Sequence, residues 1–362
     1  MFNGQMLTLA RARAGLTQAE LARRSGVNQP RLSRLEHELA PATDEEAEAL
    51  SVALDVPPSF FQRDESHRFF AVPPLFRLRR KVSQRRLDQL NAELVSRAMH
   101  LRIYTESVHI APSLDAPPQM RDEASPEEAA QLLRHLWLLR PGPIPNLTRL
   151  IEAAGIFVVE MRVPERDFDG FSFRAPGHPT IIFVREGQPT DRRRFTLAHE
   201  IGHLMLHRVA GEKVEEQANA FAAELLMPAT EARARLHAGV RLATLRTLKP
   251  AWGVSLAFLI NRAAQEGFLS AVQKSRMFRE MNARGWLQEE PDPLPPETPQ
   301  LLDRVLRVFT NDLAYSPAEM AAVVHEHPRS LESRYRIGYT PALPSPLDGS
   351  VNDAPRPALR VL

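Results

Sequence analysis

The sequence predicts a mainly α protein with a small β-sheet (α+β), built from more than one domain. Three observations carry that expectation. Apolar residues recur at three-to-four spacing through residues 1–62 and again through most of the rest, which is the periodicity of amphipathic helices. Runs rich in β-branched and aromatic residues, GIFVVEM, DGFSFR and PTIIFV, occur only within residues 141–290 and are bounded by Gly, Pro and Asp. The chain has 362 residues, 43% hydrophobic and 25% charged. That length suits two or three domains of ordinary globular composition.

In chain order, residues 1–62 read as short helices, LTLARARAGL, TQAELARRSG, QPRLSRLEHEL and DEEAEALSVALDV, ending at Pro57 and Pro58. Six arginines and one acid fall between residues 11 and 34, whereas residues 36–55 hold seven acids and no Lys or Arg. Residues 63–140 are expected to be a basic and helical linker region. Its cluster Arg77, Arg79, Arg80, Lys81, Arg85 and Arg86 leads into the helix LDQLNAELVSRAMHLRIY, and a second helix starts at Ser125-Pro126 with Glu128 as capping partner. Residues 141–290 hold the strands and two strongly apolar helices, DRRRFTLAHEIGHLMLH and EEQANAFAAELLM. Residues 291–362 open on five prolines up to Pro299, continue as two helices, and end in a tail expected to be disordered from Pro341.

Composition excludes several kinds of chemistry. Cysteine is absent, which removes disulfides, thiol nucleophiles, iron–sulfur clusters and thiolate zinc sites. The whole-chain charge of +2 selects no partner by itself. No apolar run approaches the ~18 residues of a membrane span, so a cytoplasmic protein without a membrane partner is expected.

TQAELARRSGVNQPRLSRLE has the spacing of a helix-turn-helix. Thr17 caps the first helix with Glu20 three residues on, Gly26 supplies the tight turn, and Leu21, Val27, Leu32 and Leu35 face inward. Residues 4–62 resemble the XRE (Cro/cI-type) repressor family. The resemblance implies DNA as a partner, at operator-like sites, with a homodimer spanning two half-sites. It places Gln18 at a phosphate and Gln29, Pro30 and Arg34 toward the bases, with Arg31 beside them as a further DNA-binding residue. Gln and Arg suit adenine and guanine edges. Pro30, which offers no donor, and Glu38, where the family usually has a helix-ending Gly, depart from the pattern.

HEIGH at residues 199–203 is the sharpest chemical feature. On a helix, His199 and His203 project from one face and can share a metal ion, while Glu200, about 100° round, can act as general base on a water. A catalytic zinc needs a third protein ligand. In KVEEQANAFAAELLMP, Glu215 and Asn219 are four apart and share a helix face, so Glu215 can ligate while Asn219 orients an imidazole. Glu216 is the competitor one position round.

RRFTLAHEIGH followed by ExxAN and FAAELLMP resembles the ImmA/IrrE family of metallopeptidases over residues 141–290. ExxAN also looks like the glutamate helix of thermolysin-type gluzincins, which favours Glu215 over Glu216. The resemblance implies a zincin-like fold, Zn2+ as cofactor with Mn2+ as the other candidate, Glu200 as catalytic base, and His199, His203 and Glu215 as metal ligands. It further implies a protein substrate, a transcriptional repressor cleaved in a stress, mobile-element or toxin–antitoxin response. The strand before the site is expected to pair with the substrate. All four tyrosines lie outside 141–290, so His207, one turn past HEIGH, and His178 remain as oxyanion candidates. His207 is equally a supporting or helix-end residue, and His178 equally a surface loop residue. Arg192, Arg193 and Arg194 are expected to be solvated, with local salt bridges. A rival reading keeps the DNA-binding module and makes the peptidase-like domain a sensor or partner-binding module.

Overall fold

The computed structural model describes residues 2–63, 83–121, 123–163, 168–208 and 211–335, and the backbone of 359–361. Helices α1 (Gly4–Arg13), α2 (Gln18–Ser25), α3 (Gln29–Glu36) and α4 (Asp44–Leu54), with a 3-10 turn at Pro58–Gln62, make the N-terminal body. Capping boxes at Thr17/Glu20 and Thr43/Glu46 start α2 and α4, and each satisfies backbone donors at its helix start. Gly26 ends α2 at φ 75°, the left-handed turn expected of it. Glu38 also adopts a positive φ, 57°. It does there what the missing glycine would have done, and its carboxylate accepts from the Gly4 N–H at 3.3 Å.

The long helix α5 (Gln84–Glu106) follows, then strand β1 (Val108–Ile110), α6 (Pro126–Leu136) and α7 (Leu147–Ala153). Strands β2 (Phe157–Met161), β3 (Gly170–Phe173) and β4 (Ile181–Arg185) form the sheet. Its order is β2-β4-β3, parallel between β2 and β4 and antiparallel between β4 and β3. Next come α8 (Thr190–Leu206), α9 (Val214–Leu226), α10 (Ala229–Arg235), α11 (Leu242–Trp252), α12 (Leu256–Gln265) and α13 (Ala271–Ala283). The chain closes with α14 (Leu301–Arg307), α15 (Pro317–Val323), α16 (Pro328–Tyr335) and β5 (Leu359–Val361), which pairs in parallel with β1. The expected disordered tail otherwise lies outside the described residues, as do Arg77, Arg79, Arg80 and Lys81 of the basic cluster.

The sheet separates two cores. Phe157, Val159, Ile181 and Phe183 face a core shared with α1–α5 and α14–α16. Val158, Ile182 and Val184 face a second core built from α6–α13. Both faces are covered, which is why these strands read as continuous apolar runs instead of alternating ones.

The segments expected at 63–140 and 291–362 do not pack as units of their own. Helix α5 belongs to the first core and α6 to the second, while α14–α16 return to the N-terminal body. Buried polar groups fasten that return. Glu326, fully enclosed, pairs with Arg13 of α1 and with Arg334 at 3.1 Å. Glu93 of α5 accepts from Arg97 at 2.9 Å and Arg334 at 3.1 Å. His100 Nε2 stands 3.4 Å from Glu326, and Tyr104 donates to the Met320 carbonyl at 3.0 Å. Burial would raise the Glu326 carboxyl, but His100, Arg13 and Arg334 hold it well below the usual carboxylate range. Burial lowers His100 to about 4.

The proline-bearing stretch after Pro291 has no helix or strand, yet it is pinned. Glu297 is buried, accepts from the Thr148 N–H at 2.9 Å and pairs with Arg194. Arg193 binds Glu160 of β2 at 2.5 Å. The expectation of a solvated arginine run therefore fails for Arg193 and Arg194, which are buried and tie the start of α8 to its neighbours.

Candidate metal centre

Helix α8 is enclosed on nearly all sides from Asp191 to Met205. Its imidazoles therefore face protein, where each nitrogen needs a partner. Helix α9 crosses it closely because Gly202 and Ala218 meet at the crossing. A Cβ on Gly202 would sit 3.2 Å from the Ala218 Cα and 3.0 Å from Phe221. That approach brings Glu215, in the first turn of α9, over the two histidines.

His199 Nε2 and His203 Nε2 lie 3.0 Å apart, and Glu215 oxygens stand 3.5 and 3.3 Å from them. One ligand atom from each of these three residues falls within 4.8 Å of the other two. The outer hydrogen bonds fix the protons. Asn219 Oδ1 lies 3.1 Å from His199 Nδ1, so that nitrogen carries the proton and Nε2 is a lone pair. Gln217 Oε1 lies 3.1 Å from His207 Nε2, which leaves His207 Nδ1 to accept from His203 Nδ1 at 2.9 Å. His203 Nε2 is then a lone pair too. Two lone pairs and a carboxylate oxygen facing one another repel unless a cation lies between them, and imidazole with carboxylate suits Zn2+.

Glu200 points off the same turn toward β3. Gly170 makes room for it, since a Cβ there would strike the Thr196 methyl at 2.5 Å and come within 3.3 Å of Glu200 Cγ. Burial raises the Glu200 carboxyl to about 7, against the nearby His203 and hydrogen bonds from the Ser172 side chain and backbone. A carboxyl in that range exchanges its proton near neutral pH, as a general base and acid must.

Residues 151–264 match the family model of the IrrE N-terminal-like domain, a peptidase family, and residues 7–61 match that of the helix-turn-helix. The chain is a fusion of these two domains. No curated protein matches it. The IrrE-like match spans every residue of the cluster, from His199 to Asn219. The helix-turn-helix match supports DNA binding and spans α2 and α3. Among the described residues no helix is long and apolar enough to cross a membrane.

The structure sorts the expected residues. Glu215 joins the histidines, and Glu216 is exposed. Asn219 backs His199 and His207 backs His203, so His207 is a supporting group and not an oxyanion donor. His178 lies against the Phe173 ring. The strand directly before the site, β4, is central and paired on both sides, so it cannot take a peptide; β3 next to Glu200 is the edge strand. In the helix-turn-helix, Gln29, Pro30 and Arg34 are exposed at and beyond the start of α3, as a reading helix requires. Arg31 is corrected. Its guanidinium is committed to Glu46, at 2.7 Å, and to the Pro41 carbonyl, because α4 presents a carboxylate within reach. Gln18 donates to Glu36 at 2.8 Å.

Two supporting residues were missed by sequence reasoning. Ser172 was signalled by alternation, a polar residue between Phe171 and Phe173 on the strand face opposite them. Gln217 had no such signal, because its partner His207 lies on another element.

Proposed function

We propose that this chain is a DNA-binding regulatory zinc endopeptidase of the cytoplasm, with His199, His203 and Glu215 as metal ligands, Glu200 as catalytic base, and Asn219 and His207 as their supports. The convergence of two imidazole lone pairs and one carboxylate beside a buried Glu200 carries this reading. Zinc held by the three ligands would polarise the scissile carbonyl and acidify a water. An extended peptide adds to the open edge of β3, which sets its backbone beside Glu200. Glu200, steadied by Ser172, takes the proton of the attacking water and delivers it to the leaving amine. Burial of the site keeps bulk water from competing for that proton.

The fused helix-turn-helix, with Gln29 and Arg34 toward the bases, brings the peptidase to regulatory DNA. We therefore take its substrate to be a DNA-associated regulator such as a transcriptional repressor, cleaved in a stress, mobile-element or toxin–antitoxin response. Mass spectrometry of cells carrying the wild type or Glu200→Gln tests this. The expected result is a cleavage product present with the wild type and reduced about 10²–10⁴-fold with the variant. Identical products in both would return the chain to a regulator whose peptidase-like domain only senses.

A further inference from the structure

Beside the metal centre lies a cavity of about 990 Å³, walled by the start of α8, by α9, α12 and α13, and by the segment that follows α13. Neither the three ligands nor Glu200 lines it. The wall it shares with the centre is Phe195, one turn before His199, and Asn219, which holds His199. Its size is at the upper end of small-molecule sites, about 300–1,000 Å³.

The lining describes an occupant. Phe195 and Phe258 meet edge to face at 6.1 Å, and Met281 and Trp286 extend the apolar wall. Such a surface favours a flat ring. The buried cations on the wall already have partners: Lys249 is held by Asp191 and Glu290, and Arg262 by Glu224. An ionised ligand would therefore lose its hydration without gaining a counter-charge there. Gln188 is 5% exposed and donates from Nε2 to the Asp169 carbonyl at 3.0 Å and its carboxylate at 3.2 Å. Both partners only accept, so the amide cannot be turned. Its Oε1 is a buried acceptor with no donor among the described residues. A sealed acceptor without a donor is costly, and a ligand carrying an N–H relieves it.

We propose that this cavity is a binding site for a neutral, planar heteroaromatic molecule that donates a hydrogen bond to Gln188 and lies against Asn219. The site does not depend on turnover at the metal. Indole, benzimidazole and adenine, titrated into the full chain by calorimetry and saturation-transfer NMR, are suitable probes. Ala257→Phe and Ala264→Phe fill the cavity from partly exposed positions of α12, and Gln188→Met removes the acceptor. At least one probe is expected to bind saturably at one site per chain, weakened roughly tenfold or more by each variant that folds. Absence of saturable binding by all three probes, or unchanged affinity in both Phe variants, overturns the proposal.

Discussion

The metal centre and the junction between the N-terminal body and the C-terminal helices are both buried polar constellations, yet they are assembled in opposite ways. In the centre, His199, Glu200, His203, His207, Glu215, Gln217 and Asn219 come from two successive helices and their flanks. In the junction, Arg13, Glu93, His100, Glu326 and Arg334 come from four elements scattered along almost the whole chain. The junction is closed, with opposite charges already matched. The centre is open in the chemical sense, because its inward atoms are all electron-pair donors. A buried cluster that neutralises itself holds elements together, and one that leaves like atoms facing each other is built to receive something.

The sharpest way to break this contrast is Glu326→Ala. It leaves Arg13 and Arg334 enclosed without their carboxylate and is expected to cost about 3–5 kcal/mol of stability. Urea unfolding measures it, and metal affinity of the folded fraction should stay at the wild-type value. Asn219→Ala should do the reverse. Loss of the bond that orients His199 lowers metal affinity by about 10–100-fold in chelator competition, with little change in the unfolding midpoint. The smallest effect is on acid stability. Folded His100 titrates at about 4 against an ordinary 6.5, so its contribution is intact above 6.5 and is lost as pH falls toward 4. The melting midpoint should fall by about 2–4 °C for each kcal/mol lost over that window, and His100→Gln should flatten the fall.

The same contrast explains what was legible in the sequence. Four-residue spacing on a helix is a geometric statement, so HEIGH and ExxAN announced a shared face and a third ligand before any tertiary structure was known. The helix-turn-helix was readable for the same reason, through Thr17, Glu20 and Gly26. Nothing local marks Glu326 as the partner of Arg13, and both look like ordinary helix charges. Arg193 and Arg194 misled in the same way, since their burial is decided by Glu160 and by Glu297 of the proline-bearing stretch. Arg31 read as a DNA contact because its position on α3 was visible and the carboxylate on α4 that claims it was not. The strand expected to receive the peptide was misassigned because strand order in a sheet is not a property of any one strand.

The central claim is that His199, His203 and Glu215 form one cation site. Metal analysis of the extensively dialysed full chain tests it most directly, with His203→Ala and Glu215→Gln measured alongside. About one divalent ion per chain, zinc foremost, is predicted for the wild type, with loss of most of it in both variants. A wild-type chain without stoichiometric metal, or variants that keep it, would contradict the account.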